Sequence, residues 1–214
     1  MSKSDLPVTE QLCLIADTAL RTLFGNPKIT DRVLPDKDIK ETDLDLKQKK
    51  HTAGLMRINH CGEVCAQALY QGQALTAKLP EVREKMDQAA MEENDHLHWC
   101  RRRLTQLDSS TSIFDPLFYA GSFTIGALAG LAGDKWSLGF VAETEKQVVA
   151  HLEKHLDSIN TADAKTRAIL ESMKQDELQH ATTAIDAGGA ELPAPIQKMM
   201  QATSKLMTST TYYI

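Results

Sequence analysis

The stretch MDQAAMEENDHLHWCRRRLTQL, residues 86–107, decides how this chain is read. Met86, Ala90, Glu93, Leu97, Cys100, Leu104 and Leu107 recur at three- and four-residue steps, the signature of one face of an α-helix. A glutamate therefore stands in the middle of an apolar stripe. His96 follows it by three residues and shares its face, as side chains at i and i+3 do. Glu92, one step round the helix, falls with Lys85, Gln88, Asp95 and Arg103 and is expected to be solvated.

The pattern returns at Glu177 and His180, which line up with Ile169, Met173 and Ala184, while Asp176 faces Ser172, Gln179 and Thr183. Each Glu-x-x-His is preceded by a lone glutamate on an earlier helix, Glu63 lying 30 residues before Glu93 and Glu145 lying 32 before Glu177. Glu145 keeps phase with Val141, Val148, Leu152 and Ile159, whereas Glu143 does not; Glu63 has a mixed face of Met56, Ala66 and Tyr70. The spacing predicts four long helices, about 51–78, 81–108, 135–159 and 163–187, as two hairpins related by an internal repeat. The chain reads as all-α. Burying four carboxylates uncompensated would cost several kcal/mol each. Two divalent ions cancel them while both imidazoles stay neutral. Carboxylate and imidazole donors without thiolate point to Fe(II) or Mn(II) and away from structural zinc.

Around this frame, 42% apolar and 25% charged residues in 214 describe an ordinary globular protein, and a net charge of −5 argues against nucleic-acid binding. Cys13, Cys61, Cys65 and Cys100 form no Cys-x-x-Cys pair, so Cys61 and Cys65 are expected to be reduced thiols. The first 25 residues have no basic start leading into a continuous apolar core, the mark of a secretory leader. Leu12, Ile15, Ala19, Leu20 and Leu23 predict an amphipathic helix over 8–24, and 26–50 an exposed Asp- and Lys-rich connector. Residues 1–50 are thus set apart from a domain over 51–214. A further helix is expected over about 194–207, after Pro193 and Pro195. Asp134 is expected to cap the third bundle helix and Thr161 or Asp163 the fourth, with Gly188-Gly189 ending it.

From Pro116 to Gly133 run 18 uncharged residues. As a helix they would extend about 27 Å, near the lower limit of a bilayer span. Three readings stand: a membrane span, a crossover helix buried in the bundle, and a crossover that also touches a membrane surface. Gly126 and Gly130 would let another helix approach closely. Arg101, Arg102 and Arg103 just before it read as a solvated helix end or a contact with anionic lipid. His151, near the face of Glu145, is either a hydrogen-bond partner for a ligand carboxylate or a core histidine. His51, His60, His98 and His155 are expected to be solvated or structural.

Leu55-Met56-Arg57-Ile58-Asn59-His60-Cys61-Gly62-Glu63, Glu93-Asn94-Asp95-His96-Leu97 and Asp176-Glu177-Leu178-Gln179-His180 resemble segments of the demethoxyubiquinone hydroxylases, di-iron enzymes of ubiquinone biosynthesis. The resemblance runs from about Ala53 to the C-terminus. It implies a ferritin-like four-helix bundle of two helical hairpins with an apolar crossover helix and extra terminal helices. It implies Glu63, Glu93, His96, Glu145, Glu177 and His180 as ligands of two iron ions. His151 matches a histidine placed near the metal; Leu152 stands where some members have a tyrosine. The implied reaction is O₂-dependent hydroxylation of a polyprenyl methoxy-methyl-benzoquinol, with NADH or the quinol itself as reductant. A peripheral place on the cytoplasmic side of a bacterial inner membrane goes with it, as does homo-oligomerisation or association with other ubiquinone-biosynthesis proteins. The rival expectations are another ferritin-like di-iron oxidase, an iron storage or detoxification protein, and a scaffold with a vestigial metal site.

Overall fold

A computed structural model of the chain describes residues 7–214, apart from a few side chains, Leu12 among them. The described residues form seven α-helices and no strand: α1 Val8–Phe24, α2 Leu46–Thr76, α3 Pro80–Gln106, α4 Asp115–Leu131, α5 Asp134–Ser158, α6 Ala164–Asp186 and α7 Ala194–Thr211. Local chemistry sets their ends. α2 opens earlier than its apolar periodicity predicts because Asp45 and Gln48 form a reciprocal capping box, with bonds of 2.8 and 3.0 Å. Pro80 opens α3, where its missing N–H has no partner to lose. Asp163 caps α6 by accepting the Thr166 N–H at 3.1 Å. Asp134, expected as a cap, is instead the first residue of α5, and its carboxylate accepts the N–H groups of Lys78 and Leu79 at 3.0 and 2.9 Å. The break between α4 and α5 falls on Gly133 at φ 112°, a conformation that favours glycine.

α2 and α3 form one hairpin, α5 and α6 the other, and polar rungs join them. Along α2 and α5 the His155 imidazole meets Asn59 at 2.9 Å, Tyr70 donates to Glu145, and Gln73 donates to Ser137 at 2.9 Å. Along α3 and α6 the rungs are Glu92 with His180 at 2.6 Å, His96 with Asp176 at 2.9 Å, and Arg103 with Asp163 at 2.9 Å. In both seams the numbering rises on one helix and falls on the other, so the packed helices are antiparallel. Among the described residues a small apolar cluster of Val64, Ala68, Leu97 and Tyr119 joins α4 to α2 and α3, and two larger ones fill the bundle. One contains Met56, Leu104, Leu152, Ile169 and Met173, the other Tyr70, Met86, Leu138, Val141 and Ala184. In sequence along every bundle helix, the six sequence-derived Glu and His residues fall between these two larger clusters.

The uncharged segment is α4, packed along α2. A Cβ on Gly126 would overlap the Leu69 backbone, and one on Gly72 the Phe123 carbonyl, so the two helices meet backbone to backbone. The opposite side of α4 exposes Leu117, Leu128 and Leu131, and α7 exposes Met199 and Leu206. Among the described residues no helix is long and apolar enough to cross a membrane.

The arginine run is neither a solvated helix end nor free to meet lipid. Arg101 donates to the carbonyls of Thr22 and Gly25, and Arg102 to Asp36 at 2.7 and 2.8 Å. Arg103, fully buried, spans Glu41, Asp163 and Thr166. Together they fasten α1 and the strap 26–45 to the bundle. The strap is mostly solvent-facing, but Pro27 and Asp36 are buried.

Candidate metal centre

Helical phase brings the predicted residues inward. Glu63, Glu93, Glu145 and Glu177 are 3%, 0%, 2% and 1% exposed, and His96 and His180 are 0% and 8%. Glu63, with the least apolar face of the four, is as buried as the rest because Met56, Ala66 and Tyr70 are buried with it. Ligand atoms of Glu63, Glu93, His96 and Glu177 lie within 4.8 Å of one another. His96 Nδ1 is 3.1 Å from Glu93, 3.1 Å from Glu177 and 3.7 Å from Glu63. His180 Nδ1 is 3.3 Å from Glu93 and 3.2 Å from Glu177. Glu145 stands on the Tyr70 side, receiving that hydroxyl.

Both histidines present Nδ1 to the acids and turn Nε2 away. His96 Nε2–H donates to Asp176 and His180 Nε2–H to Glu92. Each acceptor is the carboxylate immediately before the Glu-x-x-His of the other hairpin. Glu92 is therefore not simply solvated: its side chain is 33% exposed and holds a histidine. Such partners fix the imidazole plane and strengthen its electron donation.

Burial and the mutual repulsion of the acids dominate the electrostatics of the cluster. Burial, then the Glu93 carboxylate, pushes Glu63 well above the usual carboxylate range. Burial and Glu177 do the same to Glu145. Burial acts against Glu93 too, but the His180 and His96 imidazoles beside it hold it well below that range. Burial opposes a charge on the histidines, yet the surrounding carboxylates win. His96 is held well above the ordinary histidine range and His180 is pushed up to about 12. Glu93 Oε1 is buried without a hydrogen bond. An acceptor left over, four inward carboxylates and two aligned Nδ1 atoms fit a pair of hard or borderline divalent cations.

A cavity of about 320 Å³ reaches this cluster, with Glu63, Glu145 and Glu177 in its wall and α2, α4, α5 and α7 around it. Its lining is otherwise mainly apolar, with Ile58, Leu69, Phe118, Phe140 and Met207 among its residues. His151 lines it, kept below the ordinary histidine range by burial. Its ring meets that of His155 edge-on at 4.8 Å, and among the described residues it forms no hydrogen bond to a cluster carboxylate. His60 and His155, left between solvated and structural by the sequence, are structural: His60 is fully buried against Asp115 at 3.1 Å.

A family model described as ubiquinone biosynthesis protein COQ7 matches residues 50–211. The chain belongs to that family. Its similarity to COQ7 relatives extends beyond the matched segment. It is 59% identical to a 3-demethoxyubiquinol 3-hydroxylase of Nitrosococcus oceani over 198 residues, 92% of each chain. Relatives of the same description from Legionella pneumophila (strain Paris) and Pseudomonas putida (strain GB-1) share 56% and 58% identity over 96% of this chain, and 97% and 95% of theirs. The dodecameric thioferritin of Bacteroides fragilis superposes with a TM-score of 0.56 at 17% identity, covering 72% of this chain and 90% of that one. That likeness concerns the fold alone and makes the COQ7 bundle ferritin-like.

The roles of Tyr70, Glu92 and Asp176 escape the sequence reading. The one local signal for the last two is that a carboxylate precedes both Glu-x-x-His motifs.

Proposed function

We propose that this chain is a 3-demethoxyubiquinol 3-hydroxylase: a di-iron monooxygenase that adds a hydroxyl to the ring of a polyprenyl methoxy-methyl-benzoquinol. The observation that carries the reading is the mainly apolar cavity ending on Glu63, Glu145 and Glu177. An organic ring needs such a cavity, whereas iron storage needs a polar path to the acids. Glu63, Glu93, His96, Glu145, Glu177 and His180 would hold two iron ions. Bound there, the irons supply the activation of O₂, with two electrons drawn from NADH or the quinol.

The chain's own residues do the rest. The apolar walls exclude water and orient the ring toward the acids. Tyr70 remains a hydrogen donor because burial and the adjacent Glu145 push its hydroxyl well above the ordinary tyrosine range, and so it fixes the Glu145 carboxylate. His151, neutral in the cavity wall, offers an acceptor to a quinol hydroxyl. The exposed leucines of α4 and methionine and leucine of α7 supply an apolar surface beside the cavity helices. This is the surface through which we place the protein peripherally on the cytoplasmic side of the inner membrane, where a prenylated substrate is dissolved.

Cells lacking the protein should accumulate the demethoxy quinone, and the Glu177→Ala variant should fail to restore ubiquinone while the wild type succeeds. Normal ubiquinone in the deletion strain would refute the assignment. The membrane reading has its own test. The protein should float with vesicles of phosphatidylethanolamine and phosphatidylglycerol, and Leu128→Asp with Leu206→Asp should abolish flotation.

A further inference from the structure

The two histidines are braced alike by the bundle but not beyond it. Glu92, which receives His180 Nε2, is met at its other oxygen by the neutral Gln88 amide at 2.8 Å. Asp176 receives His96 Nε2 at 2.9 Å, and the same oxygen also receives Arg32 Nη2 at 2.8 Å. Arg32 belongs to the strap, upstream of the bundle and outside the segment the family model matches. Its guanidinium carbon lies 5.1 Å from the centroid of Trp99, and the Trp99 ring lies 5.2 Å from that of His96. A cation over an indole face is attracted to it.

Arg32 is aimed by a docked segment. Two residues earlier Thr30 donates through its N–H and hydroxyl to Asp95 at 2.8 and 2.6 Å. Downstream, Asp36 and Glu41 are held by Arg102 and Arg103. The Arg32 side chain is 38% exposed, so its ion pair adds little to fold stability. Its influence falls on the group it touches.

We propose that Arg32 is a positioning residue of the metal centre. Acting through Asp176 and Trp99, it fixes the His96 imidazole and makes the His96 half of the centre electrostatically unlike the His180 half. A carboxylate bonded to a metal-ligating imidazole raises its donor strength. A guanidinium on the same carboxylate oxygen restricts the rotamer and draws charge away. This inference rests on the dimetal reading given above.

The test is titration of the metal-free protein with Mn(II), following free Mn(II) by electron paramagnetic resonance. The wild type should show two classes of site. Arg32→Ala should weaken one class by about threefold to tenfold, at or below the loss seen when a direct partner of a metal ligand is removed, and leave the other unchanged. Arg32→Lys should recover part of that loss. Thr30→Ala, which removes a contact that aims Arg32, should weaken the same class by no more than Arg32→Ala does and leave the other unchanged. With no metal present, Arg32→Ala should also shift the Trp99 emission. An Arg32→Ala isotherm that superimposes on the wild type, an equal loss in both classes, or a Thr30→Ala loss confined to the other class would overturn the proposal. A wild type that binds no Mn(II) would remove the dimetal reading itself, a result distinguishable from these.

Discussion

His155 sits buried between α2 and α5 with one nitrogen bonded to Asn59, and burial drives it down to about 3 from the ordinary 6.5. The unfolded chain takes up a proton below about 6.5, while the folded chain does so only near 3. The stability tied to His155 is therefore complete above 6.5 and is lost as pH falls through the window between, about 3 kcal/mol by pH 4. Urea midpoints of metal-free wild type and His155→Gln, compared from pH 7 to pH 4, should diverge by that order; parallel curves would refute the argument. The opposite sign governs His96 and His180, which carboxylates hold above the ordinary range. They keep protons at pH 7 in the metal-free protein, so metal loading should release protons and weaken as pH falls. Calorimetry in two buffers of different ionisation enthalpy checks this, and identical heats would contradict it. At this scale the sequence was informative where a residue's own helix determines its surroundings. Glu93 and Glu145 are chosen over Glu92 and Glu143 by phase alone. Glu92 and Asp176 lie on the flanks of that phase, and their partners come from the other hairpin, which no local pattern encodes.

Among the helices, the α2–α4 seam gives the sharpest expectation. Gly126→Ala gains about 1 kcal/mol of helix propensity, but its methyl would strike the Leu69 backbone rather than a flexible side chain. Overpacking against a rigid neighbour costs about 1–3 kcal/mol, so the variant should be less stable. Gly121, also in α4, has nothing within 4 Å of a built Cβ, and Gly121→Ala should be more stable by about 0.5–1 kcal/mol. Opposite shifts in urea midpoint check the pair; shifts of the same sign would show that the seam is looser than described. The identity of α1 and of the four bundle helices was readable from periodicity, whereas α4 showed only as an uncharged run. The start of α2 was not readable, because Leu46 to Lys50 is nearly all polar and the capping box lies upstream of the apolar stripe. The arginine run was misread for a similar reason. Composition shows three cations in a row but not the strap and α6 residues that receive them.

For the molecule as a whole, candidate ligands drawn from four helices would make metal binding a property of the assembled bundle. A ligand bound only by the folded state adds about 2.7 kcal/mol at a hundredfold excess over its dissociation constant. Loading with Mn(II) should raise the melting temperature and a chelator should reverse the rise. An unchanged melting temperature would argue that the four helices do not jointly bind the ion. The internal repeat predicted two hairpins. It could not place α4 along α2 or α7 over the cavity, because an amphipathic helix declares a face without naming its neighbour.

The crossed bonds from His96 to Asp176 and from His180 to Glu92 give the fold a means of proofreading its own assembly. Each hairpin carries the acceptor for the other's histidine. Sliding one hairpin by a helical turn would strand both imidazoles at once and scatter the acids. A misassembled chain could still be helical and compact, yet it would retain no metal. Metal retention would then count correctly docked molecules, a census that helix content alone cannot provide.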